Sequence, residues 1–352
     1  MIRDAHGDLL SAEADALVNT VNTVGVMGKG IALQFKKRFP GNFKAYAAAC
    51  KAAGVQTGRM FVFDAGQLVR PRWIINFPTK RHWKSNSRLE DIDAGLDDLA
   101  KVIAHLGIRS IAVPPLGCGL GGLRWTEVKP LIEAKLAAVD ADVLVFGPEG
   151  SPAAAAIANA SPRPAMSVGK AALVRVVDRY AQSALGGAGL IEVQKLMYFL
   201  QTAGQPLRLN YVKGLYGPYA DNLRHVLIKV EGHFLTGFGD GTGPVLAAES
   251  IGVLPGAAED ADEVVAAHPE LAERIDRVLQ LSEGFESAYG MELLATVHWA
   301  ATAEGCTDRA CAVDTVHGWN QRKERLFTPS HINTALDHLV ELGWLDSDAF
   351  AA

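Results

Sequence analysis

The chain has 352 residues, 49% of them hydrophobic and 21% charged, with a formal net charge of −5. At roughly 100–200 residues per domain this length suits two domains with separate cores, and it excludes both a single small module and wholesale disorder. No apolar run approaches the roughly 20 residues that span a bilayer, and Met1-Ile2-Arg3-Asp4-Ala5-His6 opens with charge, so a cytoplasmic chain without membrane contact is expected.

Short apolar runs at 16–18, 60–63, 73–75, 111–113 and 143–146 alternate with helical patterns and predict buried strands in an α/β layer sandwich. The first run leads into Asn19-Thr20-Val21-Asn22-Thr23-Val24-Gly25-Val26-Met27-Gly28-Lys29-Gly30 and then the helical Ile31-Ala32-Leu33. Glycines there let backbone N–H groups approach an anion at a helix N-terminus, and asparagines can bond sugar hydroxyls. After 73–75 comes Asn76-Phe77-Pro78-Thr79-Lys80-Arg81-His82-Trp83-Lys84. Ser87-Arg88-Leu89-Glu90 then has capping-box spacing and predicts a helix burying Leu89, Ile92, Leu96, Leu99 and Ile103. The run at 111–113 opens onto Pro114-Pro115-Leu116-Gly117-Cys118-Gly119-Leu120-Gly121-Gly122-Leu123, a backbone bare enough to wrap a diphosphate. Both loops follow strands, where open α/β sheets place ligands, but neither matches a P-loop or a strict G-x-G-x-x-G.

Composition changes at Pro148-Glu149-Gly150-Ser151-Pro152, and residues 151–168 read as a linker between a domain at 1–150 and one at 169–352. Strand signals then fade, and 191–201, 271–281 and 332–342 show helical periodicity. Gly237-Phe238-Gly239-Asp240-Gly241-Thr242-Gly243-Pro244 is expected to be a turn-rich loop rather than a phosphate cradle.

Charge is divided between the halves: residues 1–150 carry 19 Lys/Arg against 15 Asp/Glu, and 151–352 carry 15 against 24. Residues 231–308 hold 15 acids and two bases, Arg274 and Arg277, and predict an acidic surface. Cys50, Cys118, Cys306 and Cys311 are too few and irregular for a disulfide framework. Cys306 and Cys311 lie beside His298 and His317, but buried free thiols are expected there and no metal or cofactor.

Taken together, Gly7-Asp8, Asn19-x-x-Asn22, Gly28-x-Gly30 and Gly117-Cys118-Gly119-Leu120 resemble the macrodomains, three-layer α/β/α modules with a mixed sheet that bind ADP-ribose, over roughly residues 1–150. The resemblance implies that Asp8 receives the adenine amino group and that Gly28, Lys29 and Gly30 line the ribose and diphosphate. Gly117, Cys118, Gly119, Leu120, Gly121 and Gly122 would close over the diphosphate, with Asn22 by the distal ribose and Leu9, Asn19, Ile31 and Thr79 beside the ligand.

The Lys80 segment, with Trp125, is similar to the macrodomain branch that includes terminal ADP-ribose protein glycohydrolases and the DarG antitoxins. That resemblance implies a catalytic lysine at Lys80 and removal of ADP-ribose from a base, chiefly thymidine, of single-stranded DNA. Protein-directed relatives carry an aspartate where this chain has Gly121, so Lys80 would attack the anomeric carbon alone or act as a cation, with His82 an alternative acid or base. Arg81, Trp83, Lys84 and Arg88 supply the charge and stacking surface a DNA substrate needs. In the second domain, Val193-Gln194-Lys195-Leu196-Met197-Tyr198-Phe199-Leu200 and Tyr216-Gly217-Pro218-Tyr219 resemble the SocA-like or Panacea antitoxin domains. The resemblance implies a DarT-type ADP-ribosyltransferase toxin as partner, held by the acidic helical surface. A non-catalytic ADP-ribose reader and an ADP-ribosyl-protein hydrolase remain open alternatives.

Overall fold

The computed structural model describes residues 1–66, 70–148, 152–184, 186–243, 245, 249–347 and 350; Glu149, Gly150 and Ser151 of the expected linker and Pro244 of the glycine loop lie outside them. The chain forms two compact units, one of Met1–Pro162 with Asp240–Thr242, the other of Arg163–Gly239 with Gly243–Ala352.

In the first unit, among the described residues, β1 (Ile2–Ala5), β2 (Ala16–Asn22), β3 (Phe61–Asp64), β4 (Trp73–Lys80), β5 (Ser110–Val113) and β6 (Asp142–Phe146) form one mixed sheet. Its order is β1-β6-β5-β2-β4-β3, with β3 antiparallel to β4 and every other pairing parallel. Helices α1 (Gly30–Arg38), α2 (Pro40–Lys51), α3 (Leu89–Leu106) and α4 (Trp125–Leu136) complete the unit. Apolar clusters flank the strands: Val18, Ile75, Phe77 and Ile111 join α3 and α4 residues in one, while Leu17, Ile74 and Ala112 join Phe35 of α1 in another. Alternate residues of the same strands thus feed two cores, so central strands of a parallel sheet read as continuous apolar runs.

Three local expectations change. β1 was not anticipated, because its Arg3 and Asp4 are exposed on an edge strand. β3 is half-exposed rather than buried, since it too is an edge. The predicted helix forms and buries Ile92, Leu96, Leu99 and Ile103, but its N-cap is Arg88, without a side-chain cap. Ser87 is drawn away from capping because its N–H donates to Gly121 O at 3.0 Å and its side chain packs against the 117–121 loop.

The second unit is mainly helical: α5 (Val168–Ser183), α6 (Leu190–Thr202), α7 (Asp221–Val230), α8 (Ala257–Ala266), α9 (Pro269–Ser282), α10 (Ala288–Thr302), α11 (Arg309–His317), α12 (Gln321–Leu326) and α13 (Pro329–Glu341). Among the described residues two small antiparallel strand pairs interrupt it, β7 (Tyr211–Gly214) with β8 (Gly217–Ala220), and β9 (Leu235–Thr236) with β10 (Gly252–Val253). In the glycine loop Gly237, Gly239 and Gly241 all take positive φ, as a turn-rich segment requires.

Residues 193–200 lie on α6, where Leu196, Phe199 and Leu200 are fully buried. Gln194 exchanges hydrogen bonds with Ala220, donating to its carbonyl at 3.2 Å and accepting from its N–H at 3.1 Å, and Lys195 Nζ donates to Pro218 O at 2.7 Å. The paired sequence motifs are therefore a clamp that fixes the β7–β8 hairpin on α6. Gly217 has φ +87°, and a Cβ there would lie 2.9 Å from Thr296 Oγ1, so the turn admits only glycine. Burial, with Lys323 nearby and despite Glu292, pushes the Lys195 ammonium down to a pKa of about 7.

Cys306 and Cys311 are joined by a disulfide, which corrects the expectation of free thiols: the cap of α11 by Asp308 turns the chain and brings their Cα atoms to 5.5 Å. His298 bonds Tyr198 at 2.8 Å and His317 bonds Phe327 O at 2.8 Å, so neither joins the sulfurs. No helix among the described residues is long and apolar enough to cross a membrane.

Candidate active site

The site is built where β2, β4 and β5 end at the same edge of the sheet. Asn22, the last residue of β2, is the register partner of Lys80, the last of β4, after a shift between Val21 and Asn22. Pro78, which cannot donate to a ladder, sits opposite Val21 at this irregularity. Below it, Gly95 of α3 lies against Phe77: a Cβ at Gly95 would fall 2.3 Å from the ring.

The loop after β2 is shaped by Asn22, which is 7% exposed. Its Oδ1 accepts from the N–H groups of Val24 (3.0 Å) and Val26 (3.2 Å), its Nδ2 donates to Val26 O at 2.6 Å, and the Tyr46 hydroxyl reaches its Oδ1 at 3.2 Å and its carbonyl at 2.6 Å. Asn22 thus holds the loop. Gly28, Lys29 and Gly30 follow, and Gly30, with φ +58°, starts α1 with its positive dipole end toward the loop. Asn19 is fully buried and donates to Asn76 Oδ1 at 2.9 Å, while Asn42 and Asn76 bond each other. The Asn19 amide thereby joins β2 to β4, and its buried Oδ1 has no hydrogen-bond partner among the described residues.

Asp8 caps the short 3-10 turn Leu9–Ser11, accepting from Leu10 N (3.0 Å) and Ser11 Oγ (2.9 Å), and remains partly exposed. Leu9 is buried and shares an apolar cluster with Ile31 and Phe35, which ties this turn to α1. Thr79 is also buried, its hydroxyl directed to Val21 O at 3.4 Å.

Lys80 is half-buried, and its Nζ donates to the carbonyl of Leu120. Burial lowers its pKa from the ordinary lysine value. The loop facing it is held by Leu123 N to Gly117 O (3.0 Å), Gly122 N to Gly119 O (3.1 Å) and Ser87 N to Gly121 O (3.0 Å). A Cβ at Gly121 would stand 2.2 Å from Gly117 O and 2.4 Å from Ser87 Oγ, so the backbone leaves no room for an aspartate or any other side chain. The Ser87 hydroxyl is buried and has no hydrogen-bond partner among the described residues. Sequence reading missed this brace because serine-to-glutamate spacing pointed to a helix cap. Cys118 is partly buried, and burial pushes its thiol up to about 11, which disfavours the thiolate.

Beyond Lys80 the chain is exposed at Arg81, His82, Trp83, Lys84 and Arg88. Arg81 pairs with Asp91 at 3.1 Å, and the Lys84 ammonium lies 4.9 Å from the Trp83 ring centre. His82 Nδ1 accepts from Lys84 N at 3.2 Å, which fixes the turn. Thr23 donates to Arg81 O at 2.7 Å, joining this segment to the loop after β2.

Residues 18–132 match the Macro domain family. The DNA ADP-ribosyl glycohydrolase of Thermus aquaticus is 47% identical over 347 residues, covering 98% of this chain and 94% of that one. That of Mycobacterium tuberculosis is 44% identical over 352 residues, 97% of this chain and 99% of its own. A DNA ADP-ribosyl transferase-DNA ADP-ribosyl glycohydrolase fusion protein of Thermosipho africanus is 37% identical over 158 residues, 41% of each chain. Identity at this level along nearly the whole length makes the chain a member of the DNA ADP-ribosyl glycohydrolase family, with a macrodomain as its first unit.

Proposed function

We propose that the chain removes ADP-ribose from a base, thymine in the first instance, of single-stranded DNA by hydrolysing the N-glycosidic bond, with Lys80 as the catalytic residue. The observation that carries this reading is the setting of Lys80: it ends β4 beside Asn22, touches the bare loop of residues 117–122, and has its amine shifted toward the neutral form. A neutral amine attacks the anomeric carbon of the distal ribose. As the Nζ–carbon bond forms, the carbon–base bond breaks, and the ammonium gives its proton to the departing base nitrogen. Water then adds at the same carbon, returns a proton to the amine and releases ADP-ribose. Because the backbone around Gly121 excludes a carboxylate, this route uses the lysine alone.

In this reading Asp8 receives the adenine amino group. Gly28, Lys29, Gly30 and Ile31 with the α1 N-terminus face the diphosphate, Gly117, Cys118, Gly119, Leu120, Gly121 and Gly122 cover it, and Arg81, Trp83, Lys84 and Arg88 receive the strand. The test is release of ADP-ribose from a thymidine-modified single-stranded oligonucleotide. Intact chain should turn over and Lys80→Ala should not, while both bind ADP-ribose; binding without release by the intact chain would leave a reader.

The second unit we assign to a DarT-type toxin partner, which the fusion of transferase and glycohydrolase in a relative supports. The Gln194 and Lys195 clamp on the hairpin supports a SocA-like or Panacea-like unit. Its acidic surface is smaller than the sequence count: Glu231 and Glu292 are buried, and Asp260, Asp262 and Asp276 pair with Arg163, Arg175 and Arg179. Exposed Glu259 and Glu263 on α8 and Glu273 on α9 remain to meet a basic partner. Reversing them to lysine in the full chain should weaken toxin binding at low salt and leave ADP-ribose binding intact.

A further inference from the structure

Among the described residues of the first unit, the large apolar side chains left exposed are Met1, Val24 (45%), Val26 (40%), Trp83 (50%) and Leu120 (59%). Apart from the terminal methionine, all belong to the three loops that surround Lys80. These loops are tied together by Thr23 to Arg81 O at 2.7 Å and by Lys80 to Leu120 O. Asn22 fixes the backbone that carries Val24 and Val26, so the exposed valines are held in place rather than left on a slack loop. Exposed apolar side chains on loops tied to one another and to a reactive amine, with exposed cations beside them, mark a surface meant to be covered.

The rim's charge says what covers it. Residues 22–30, 80–88 and 117–123 contain no Asp or Glu, while Lys84 and Arg88 are exposed on the same segment as Trp83, with Arg81, itself paired with Asp91, between them and Lys80. A cationic or strongly hydrated leaving group gains nothing from such a rim. A flat nucleobase gains apolar contact on its face, and its flanking phosphates meet the cations.

We infer that Val24, Val26 and Trp83 form the seat of the nucleobase that carries the ADP-ribose, so that the site selects an unstacked base over a polar protein side chain as the group it releases. The inference rests on the proposed function. It requires the base to leave its stack, which a single strand permits at least cost.

The test uses the full chain and a Val24→Ser/Val26→Ser variant, with thymidine-modified oligonucleotide as substrate and free ADP-ribose as calorimetric probe. KM for the oligonucleotide should rise roughly tenfold, the effect expected of lost apolar contact at a half-exposed site, while ADP-ribose affinity stays unchanged. Melting curves check the fold of the variant. An unchanged KM overturns the inference, and so does an equal loss of ADP-ribose affinity, which would put the valines in the ADP-ribose site itself. If the unaltered chain binds ADP-ribose but releases none from DNA, the proposed function fails and the inference with it, a result distinct from the other two.

Discussion

Adding a single carbon at Gly121 is the sharpest perturbation of this site. In Gly121→Ala the new methyl would lie 2.2 Å from Gly117 O, 2.8 Å from Gly117 C and 2.4 Å from Ser87 Oγ. Two of these neighbours are backbone and cannot rotate away, so the loop must open. Opening breaks the bonds Ser87 N to Gly121 O and Leu123 N to Gly117 O, both 3.0 Å. At about 0.5–1.5 kcal/mol each their loss costs about 1–3 kcal/mol. Since this loop is the cover over the diphosphate in the proposed function, the cost should fall on ligand binding, as roughly 5- to 150-fold weaker ADP-ribose affinity at 1.4 kcal/mol per decade. Both bonds are lost from the free protein too, and Leu116, Cys118 and Leu123 of this loop pack in the core of α3 and α4, so the melting temperature should also fall, by about 2–4 °C per kcal/mol. Calorimetric titration with ADP-ribose and a circular-dichroism melt measure the two effects. Removing the Ser87 side chain as well, in Ser87→Gly/Gly121→Ala, should recover only part of the affinity because Gly117 O remains in the way. An alanine variant that binds ADP-ribose as tightly as the unaltered chain would refute the reasoning. So would a Gly121→Asp variant that hydrolyses ADP-ribosylated peptides, because it would show that the loop makes room for a carboxylate at little cost.

Three further outcomes are expected. Burial lowers the Lys80 pKa, so if the neutral amine attacks, the single-turnover rate should rise with pH through a value below that of a free lysine; a rate that falls across about pH 6 to 10 would mean the lysine works as a cation. Burial also holds His298 at about 4 against an ordinary 6.5, so the unfolded chain binds a proton in that window that the folded one refuses. Stability should therefore fall as pH drops through it, by up to about 3 kcal/mol, and His298→Gln should flatten the decline in melts taken at successive pH values; parallel curves for the two proteins would discount the histidine. Asn22→Ala removes the acceptor of two backbone N–H groups and of the Tyr46 hydroxyl, and should cost about 1–3 kcal/mol in stability and weaken ADP-ribose binding; a variant impaired in neither would show that the loop needs no such brace.

The chemistry-bearing loops were legible in the sequence because they sit between apolar runs whose length and spacing already specify strands. Lys80, Gly117 and the Arg81–Lys84 segment all emerge at strand ends for that reason. What the sequence hid was the difference between a polar residue that faces a ligand and one that holds the frame. Asn19 and Asn22 look alike in Asn-x-x-Asn, yet one is spent on Asn76 inside the sheet and the other on its own loop. Both roles depend on partners far along the chain, Asn76 and Tyr46, which no local pattern announces. β4 outran its apolar core of three residues because Asn76, Pro78 and Thr79 are buried by long-range pairing rather than by hydrophobicity. The acidic count of residues 231–308 misled in the same way, since it could not see the arginines of α5 that neutralise part of it.

The close approach of Gly95 to Phe77 means that a helix and the strand bearing the reactive lysine share one zero point. Phe77 lies three residues before Lys80, and α3 begins two residues after Ser87, which braces the opposing loop. Strand and helix thus meet at one contact, and a methyl group added at Gly95 would press on the strand that ends in the lysine and on the helix that follows the brace of the opposing loop. A residue with no view of any ligand, Gly95, is in that sense the spacer of the site.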